Sequence, residues 1–379
     1  MKRGWQTKTL EEACQFSNGL WKGEKPPFVN VGVIRNTNFT KDGSLDDSDI
    51  AYLDVETKKF EKRCLQFGDI ILEKSGGGPK QPVGRVALFD KAEGNFSFSN
   101  FTAALRIRDP HDLDFRFLHK FLYWTYVSGV TEGMQSHSTG IRNLDGDAYK
   151  ALKIAFPPLP EQQRIVAILD QAFEAIAKAH ANAEANLKNA RDIFDSHLQS
   201  VFTQRGEGWV HTTIGDQVVL QRGFDITKAQ QSPGSVPVVS SGGIKSFHDT
   251  AMVKAPGVVL GRKGTLGKVF YLEKDFWPHD TTLWIKNFKG NDPRFVYYFF
   301  TGFDVSGLDS GTANPALNRN QVHPIEVDWP PIAQQSVIVS TLDALSEETH
   351  RLESLYRQKL EALDELKQSL LHQAFSGQL

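Results

Sequence analysis

The sequence predicts an α/β (α+β) protein in which two globular domains alternate with two long helices. Three observations predict it. A proline step that runs into a helical pattern occurs twice, each helical pattern carries an apolar seam, and the segments before the two steps resemble each other in order. The proline steps are PPLPEQQRIVAILD from Pro157 and PPIAQQSVIVSTLD from Pro330, 173 residues apart without a gap. This internal repeat indicates two like halves related by a pseudo-two-fold axis.

The repeat divides the chain into four segments. We assign 1–156 to a first globular domain, 157–206 to a first helix, 207–329 to a second globular domain and 330–379 to a second helix. A chain of 379 residues is long enough for two ordinary cores. Its content of 40% hydrophobic and 23% charged residues is that of an ordinary globular protein.

The two helical patterns predict helices over 160–205 and 333–376. In the first, apolar or small residues recur in steps of three and four from Ile165 through Leu169 and Ile176 to Leu198, which is typical of a coiled-coil seam. In the second, the seam runs through Leu342 and Leu363 and then moves to Leu366, Leu370 and Ala374. A helix of roughly 40 residues, about 60 Å long, cannot bury such a seam alone. We therefore expect the two helices to pair as an antiparallel coiled coil.

The globular domains share three features in the same order. GDIILEKSGGGPKQPVGRVALFD from Gly68 parallels GVVLGRKGTLGKVFYLE from Gly257, and each predicts strand, basic Gly-rich loop, strand. DFRFLHKFLYW from Asp114 parallels DPRFVYYFF from Asp292, and each opens a short apolar helix. SHSTGIRNL from Ser136 parallels SGTANPALN from Ser310 as a polar loop before the proline step. The aromatic runs inside the short helices predict core packing in preference to base stacking, because they recur at helical positions in both halves.

Composition places limits on environment and partners. The two cysteines, Cys14 and Cys64, form no metal-binding or disulfide pattern, which favours a reducing compartment. The N-terminus has no apolar signal region and no run approaches the length of a membrane span, so we expect a cytoplasmic protein without a membrane partner. The net charge of −2 means that a phosphate-binding surface would consist of local basic patches.

The two proline steps, the loop GRKGTLGKV from Gly261 and the terminal AFSGQL together resemble the specificity subunit of type I restriction–modification systems. The resemblance covers the whole chain. It implies that each globular domain is a target recognition domain for one half of a split, asymmetric site in double-stranded DNA. It also implies that the coiled coil sets the spacing of the half-sites and docks two modification (methyltransferase) subunits. In copy two Ala333 and Gln334 replace Pro160 and Glu161, which weakens the helix start slightly.

Candidate DNA-binding residues follow from the paired loops. Glycine lets the backbone approach a duplex, Arg and Lys bind guanine or phosphate, and Asn and Gln read adenine. The ordinary alternative is a set of connecting loops and hairpin turns, which the same residue types favour. The candidates in the first half are Lys74, Ser75, Lys80, Gln81, Arg85, Ser138, Thr139, Arg142 and Asn143, and those in the second are Ser240, Ser241, Lys245, Arg262, Lys263, Lys268, Asn314, Asn318 and Arg319.

Candidate partner-binding residues lie at the helix starts. The resemblance implies that modification subunits dock on this device, so we select Pro158, Glu161, Gln162, Pro331 and Gln335. The resemblance leaves open whether restriction (endonuclease) subunits also join.

The sequence predicts no catalytic chemistry in this chain. It has no Asn/Asp-Pro-Pro-aromatic tetrapeptide and no loop suited to S-adenosylmethionine, and its histidines form no metal-ligand pattern. Asp54 and Glu56 form a short Glu-x-Lys context that is expected by chance. We therefore expect neither a cofactor nor a metal here, with S-adenosylmethionine bound to the partner methyltransferase. The alternatives are a nuclease or methyltransferase, and a coiled-coil adaptor that binds proteins without reading DNA.

Overall fold

In the computed structural model the chain forms two compact units. Unit 1 comprises Met1–Asn182 and Lys359–Leu379, and unit 2 comprises Ala183–Gln358. The structure describes residues 4–20, 22–78, 81–138, 141–308 and 316–379. Each unit therefore contains one globular part and a portion of each long helix.

Within its described residues, unit 1 has twelve short strands and four short α-helices before the first long helix. The strands are β1 (Gln6–Thr9), β2 (Cys14–Asn18), β3 (Phe28–Ile34), β4 (Ala51–Glu56), β5 (Ile70–Glu73), β6 (Ser75–Gly77), β7 (Val86–Leu88), β8 (Phe96–Phe98), β9 (Thr102–Ile107), β10 (Gln135–Ser138), β11 (Ile141–Leu144) and β12 (Lys153–Phe156). The helices are α1 (Leu10–Ala13), α2 (Thr57–Glu61) and α3 (Phe115–Val127), followed by the single turn α4 (Gly146–Lys150) and by α5 (Leu159–Thr203).

Four sheets organise these strands. Their orders are β1-β12, β2-β9-β5-β7, β4-β3-β8 and β10-β11-β6. Pairing is antiparallel except between β3 and β8. The central strand β5, with sequence IILE, is buried at all four positions, as expected of a strand covered on both faces.

Unit 2 repeats most of this plan. Its strands are β13 (Val210–Thr213), β14 (Val219–Arg222), β15 (Val236–Ser240), β16 (Gly243–His248), β17 (Gly257–Gly261), β18 (Val269–Leu272), β19 (Trp277–Pro278), β20 (Thr282–Asn287) and β21 (Glu326–Trp329). Its helices are α6 (Ile214–Gln217), α7 (Pro293–Thr301), α8 (Arg319–Val322) and α9 (Ile332–Ser376).

The sheets of unit 2 match three of those in unit 1. The orders β13-β21, β14-β20-β17-β18 and β16-β15-β19 correspond to β1-β12, β2-β9-β5-β7 and β4-β3-β8. The parallel pair recurs at the same place, between β15 and β19. The predicted internal repeat is therefore present in strand order as well as in sequence.

The long helices pair inside each unit. In unit 1, Ile165 and Leu169 of α5 lie in one core with Leu371 and Ala374 of α9. The start of α5 lies beside the end of α9, because Arg164 donates to the carbonyl oxygen of Leu379 at 3.1 Å. In unit 2, Leu198 of α5 packs with Leu342 of α9, and Arg191 forms an ion pair with Glu353. The residue numbers of the contacting residues rise along α5 and fall along α9, so the two helices are antiparallel, as predicted.

The predicted seam is correct along α5 and wrong at one point of α9. Ile165, Leu169, Ile176 and Leu198 are all buried. Leu366, which the pattern placed in the seam, is 47% exposed, and Leu371 is fully buried. The reason is that the end of α9 packs on α3 as well as on α5, so its buried face includes Leu371 beside Leu370.

The short apolar helices begin at matching caps and enter the cores. Asp114 accepts hydrogen bonds from the backbone N–H groups of Arg116 and Phe117, and Asp292 does the same at the start of α7. These are N-caps, which satisfy backbone donors that the helix cannot pair itself. The core packing predicted for the aromatic runs is confirmed, since Phe121 and Tyr298 are buried. Among the described residues, no helix is both long enough and apolar enough to cross a membrane.

Candidate nucleic-acid interface

In unit 1 the two loops singled out from the sequence meet at a third segment. The backbone N–H groups of Lys74 and Ser75 donate to the carbonyl oxygen of Phe101 at 3.0 and 3.2 Å. The N–H group of Leu144 donates to the carbonyl oxygen of Lys74 at 2.8 Å, and β6 pairs with β11 beside it. The basic Gly-rich loop, the polar loop and the residues preceding β9 therefore form one backbone junction.

Unit 2 builds the same junction. The N–H groups of Arg262 and Lys263 donate to the carbonyl oxygen of Thr281 at 2.8 and 3.1 Å, and the N–H group of Leu317 donates to that of Arg262 at 2.9 Å. An isolated bridge joins Lys263 to Ala316, where unit 1 has the β6–β11 pair.

Strand register makes the two junctions comparable residue by residue. Glu73 pairs with Thr102 in unit 1, and Gly261 pairs with Thr282 in unit 2. The N–H of Glu73 donates to the carbonyl oxygen of Arg85, and the N–H of Gly261 donates to that of Lys268, each at 2.8 Å. The equivalent positions are thus Lys74 and Arg262, Ser75 and Lys263, Arg85 and Lys268, Asn100 and Asp280, and Phe101 and Thr281. Asn18, paired with Ala103, matches Arg222, paired with Leu283.

The candidate side chains of unit 1 are partly engaged with one another. The Lys74 ammonium donates to the Asn18 side-chain oxygen at 2.9 Å, and partial burial lowers the pKa of Lys74. The Ser75 hydroxyl donates to the Asn143 side-chain oxygen at 2.5 Å. Arg142 on β11 reaches the Gln135 side chain at 3.4 Å. Gln81 is exposed and bridges to Gly78 through its backbone.

Arg85 lies inward from this surface. Its guanidinium donates to both oxygens of the Glu73 carboxylate at 2.8 and 2.9 Å and to the carbonyl oxygen of Asn36 at 3.0 Å. The Glu73 side chain is only 1% exposed. Burial acts to lower the pKa of Arg85, but the hydrogen bonds and attraction of Glu73 outweigh it and raise that pKa. This placement favours a structural role, and contact of Arg85 with DNA stays a prediction.

The candidate cations of unit 2 lie nearer to solvent. One Arg262 nitrogen donates to the backbone carbonyl oxygen of Asp280 at 3.3 Å, and burial together with the charge of Arg222 lowers the pKa of Arg262. Arg222 itself donates to the Asp280 carboxylate at 2.9 Å. Lys263 and Lys268 are exposed, and the Lys268 ammonium lies 5.3 Å from the centroid of the Phe270 ring.

The remaining candidates of unit 2 lie at the end of β15, in the turn after it, on β16 and at the start of α8. The Ser240 hydroxyl donates to the carbonyl oxygen of Gly243, and the Ser241 N–H donates to the Thr281 hydroxyl. Lys245 is exposed on β16. Asn318 caps α8, which begins at the exposed Arg319. Lys80, Thr139 and Asn314 lie outside the described residues, as does the side chain of Ser138.

Each long helix has an equivalent buried amide side chain near its start. Gln162 is fully buried, accepts from the N–H of Asp114 at 2.8 Å, and donates to the carbonyl oxygens of Asp112 and Pro157. Gln335 accepts from the N–H of Asp292 at 3.0 Å and is equally buried. Each amide therefore joins the start of a long helix to the cap of the neighbouring apolar helix, which favours a structural role over direct contact with a partner.

The other partner-binding candidates are accessible. Pro158 and Pro331 are exposed, and Glu161 is half-buried with a bidentate pair to Arg164 at 2.7 and 2.8 Å. Partner binding by these residues stays a prediction.

Sequence reasoning missed the third segment of each junction and the end of the neighbouring strand. These residues are Asn18, Asn100 and Phe101 in unit 1 and Arg222, Asp280 and Thr281 in unit 2. No motif marks them, because they reach the loops only through strand pairing between distant parts of the chain. The one available signal is that SNFTAAL and HDTTLWI each precede a strand with a polar turn.

One group of metal-ligand type lies next to the junction of unit 2. Among the described residues, Asp225, His279 and Asp280 bring ligand atoms within 4.8 Å of one another. Arg222 already balances the charge of Asp280 at 2.9 Å, which disfavours a cation there. The expectation of no metal stays a prediction.

A chain that places one basic and polar strand junction on each of two helix-linked units has the architecture of a modular DNA-recognition protein. The family model of the type I restriction modification DNA specificity domain matches residues 2–187 and 206–362. The chain belongs to this family, whose function is recognition of DNA sequence.

Two known relatives match the chain, one along nearly its whole length and one over about a third of it. A putative type I restriction enzyme specificity subunit from Methanocaldococcus jannaschii is 18% identical over 410 residues, spanning 99% of this chain and 93% of that protein. A putative specificity subunit from Haemophilus influenzae is 33% identical over 147 residues, spanning 37% of this chain and 34% of that protein.

Two solved structures share the fold. One chain, from a study of complex assembly and conformational transition of the type I R-M system, has a TM-score of 0.83 at 16% identity and covers 100% of this chain and 99% of that one. The HsdS subunit of Thermoanaerobacter tengcongensis has a TM-score of 0.66 at 15% identity, covering 100% and 98%. The predicted fold of two recognition domains and two pairing helices is confirmed.

Proposed function

We propose that each unit reads one half of a bipartite, asymmetric DNA site and that the long helices set the number of unread base pairs between the halves. The observation that carries this is the repeated junction: one backbone arrangement, present in both units, displays different side chains. Phosphate contacts would position each domain and a few base-edge contacts would select sequence.

The chain would act without catalytic chemistry of its own. Methylation would come from two modification subunits that carry S-adenosylmethionine, docked near the exposed Pro158, Glu161 and Pro331. Restriction subunits would join where the host encodes them. With a net charge of −2, the isolated chain should bind DNA more weakly than the assembled complex.

The experiment maps methylated bases in a host that expresses this chain with its modification subunit, with and without the gene. We expect a motif of two short half-sites separated by a fixed gap, lost with the gene. A single continuous motif would contradict the bipartite reading. An active complex that yields no motif dependent on this chain would favour an adaptor that only binds proteins.

The spacing role is tested by removing one heptad from each long helix, residues 183–189 and 356–362. These deletions keep the seam in step, since Ala190 takes the place of Ala183 and Leu363 that of Tyr356. We expect the gap to change while both half-sites keep their bases. Reinsertion of seven residues with the same apolar pattern is the matched control and should restore the original gap. An unchanged gap in the deleted chain would rule out the spacing role.

A further inference from the structure

Four equivalent positions at the junction carry different chemistry in the two units. We name them the junction quartet: Asn18, Lys74, Asn100 and Phe101 in unit 1, and Arg222, Arg262, Asp280 and Thr281 in unit 2. Resting on the proposed bipartite function, we propose that the quartet determines specificity in each unit. The quartet of unit 1 reads an A·T pair, and that of unit 2 reads a G·C pair.

The backbone of the quartet is the same in both units. Position two donates its N–H to the carbonyl of position four, at 3.0 Å in unit 1 and 2.8 Å in unit 2. Just beyond position four, Thr102 and Thr282 each return a hydroxyl hydrogen bond to the start of the turn, at 2.8 and 2.7 Å. The backbone is therefore the same in both units and only the side chains differ. Two domains built in this way can read different bases with one backbone geometry.

In unit 1 the quartet matches the two members of an A·T pair. Asn18 and Asn100 are exposed amides, and an amide can form paired hydrogen bonds with adenine. The phenyl ring of Phe101 is 48% exposed, and an apolar side chain recognises the thymine methyl group. Lys74 adds one positive charge beside Asn18, and an ammonium group there can bind a phosphate.

In unit 2 the quartet matches the two members of a G·C pair. The side chain of Arg222 is 55% exposed, and a guanidinium binds the two acceptors of guanine. The Asp280 carboxylate is an acceptor suited to the cytosine amino group. Asp280 also holds both guanidiniums, Arg222 through its carboxylate at 2.9 Å and Arg262 through its carbonyl at 3.3 Å. Both arginines are therefore oriented before DNA arrives.

Net charge does not distinguish the quartets, since each carries a formal charge of +1. Exchanging the quartets should therefore change base preference and leave the attraction to phosphate unchanged. This separates the proposal from a general electrostatic role, which would affect all sequences alike.

The test transplants one quartet into the other unit. The full chain carrying Asn18→Arg, Lys74→Arg, Asn100→Asp and Phe101→Thr is assembled with its modification subunit, and its methylated motif is mapped. We expect a G·C pair to replace an A·T pair in the half-site of unit 1, with the second half-site and the gap unchanged. An unchanged first half-site overturns the proposal and leaves the bipartite function standing. A wild-type complex without a two-part motif would instead overturn the proposed function itself.

A single substitution keeps the proposal testable if the fourfold variant does not fold. Phe101→Ser should reduce discrimination at one base pair of the first half-site by about 5-fold, the lower end of the range for a base contact, because serine has no apolar group to contact the thymine methyl. Phe28→Ser is the matched control, because Phe28 is 47% exposed in the same unit and is the first residue of β3, outside the quartet. Equal motifs for the two variants would overturn the proposal.

Discussion

Arg85 and Lys268 occupy the same position in the two units and differ in what surrounds them. Arg85 forms an ion pair with the buried Glu73 carboxylate, whereas the carbonyl oxygen of Lys268 accepts from the N–H of Gly261, which has no side chain. Arg85 is thereby locked into unit 1, and Lys268 remains exposed with its ammonium over Phe270. The last residue of the preceding strand therefore decides whether the basic side chain at this position is held inside the unit or left at the surface.

We expect the largest loss of stability from replacing Arg85, the basic residue that is held inside unit 1. Arg85→Ala leaves the buried Glu73 carboxylate without its charged partner, which costs about 3–5 kcal/mol of unfolding free energy. Lys268→Ala should change it by about 0.5 kcal/mol or less, because its side chain is exposed. Denaturant unfolding of the two variants measures the difference. Adding Glu73→Ala to Arg85→Ala should recover part of the lost unfolding free energy. Equal losses for Arg85→Ala and Lys268→Ala would contradict the difference between the two positions.

A second prediction concerns a feature that the units share. Gln162→Leu removes one acceptor and two donor contacts in a fully buried site, so we expect a loss of about 3 kcal/mol, and a similar loss for Gln335→Leu. Gln163→Leu is the control, because Gln163 is the exposed neighbour of Gln162. Thermal unfolding of all three variants checks the prediction. A large loss in one unit only would mean that the buried amides are not equivalent.

The third prediction compares the two units by the pH dependence of their stability. Burial lowers the pKa of His119 in α3 to about 4, although Asp42 and Asp170 act in the opposite direction. The unfolded chain takes up this proton near pH 6.5 and the folded chain does not until about pH 4. The contribution to stability is therefore complete above pH 6.5 and falls as pH decreases, by about 2 kcal/mol at pH 5.

His119→Gln should remove that part of the pH dependence. The comparison in unit 2 is His323→Gln, where burial lowers the pKa of a residue that is only partly buried, so the change should be smaller. Unfolding free energies of the wild type and both variants, measured at pH 7 and pH 5, test this prediction. An unaltered pH dependence in His119→Gln would contradict the assignment to this residue.

Much of the fold could be predicted because it depends on local patterns. The helices predicted over 160–205 and 333–376 are observed as Leu159–Thr203 and Ile332–Ser376. Proline steps, caps and apolar periodicity act within a few residues, so they can be read directly. The seam prediction was wrong at Leu366 because this end of α9 also packs on α3. The apolar periodicity of α9 carries no information about that contact.

The candidate interface was predictable only in part. The basic and polar loops were found separately, but their meeting point at Phe101 and Thr281 depends on strands that are distant in sequence. The roles of Glu73 and Gln162 were likewise hidden, since nothing local distinguishes a buried acid or amide from an exposed one.

The sequence by itself determined the repeat, the two long helices and the basic and polar loops of each half, because each of these is a short-range pattern of side-chain types. Only the tertiary structure decided which strands bring Asn18 and Phe101, or Arg222 and Thr281, to those loops. It also decided which cations remain at the surface. The physical reason is that pairing and burial are set by contacts between distant segments, and the free energy of a charge depends on the groups that surround it in the folded chain.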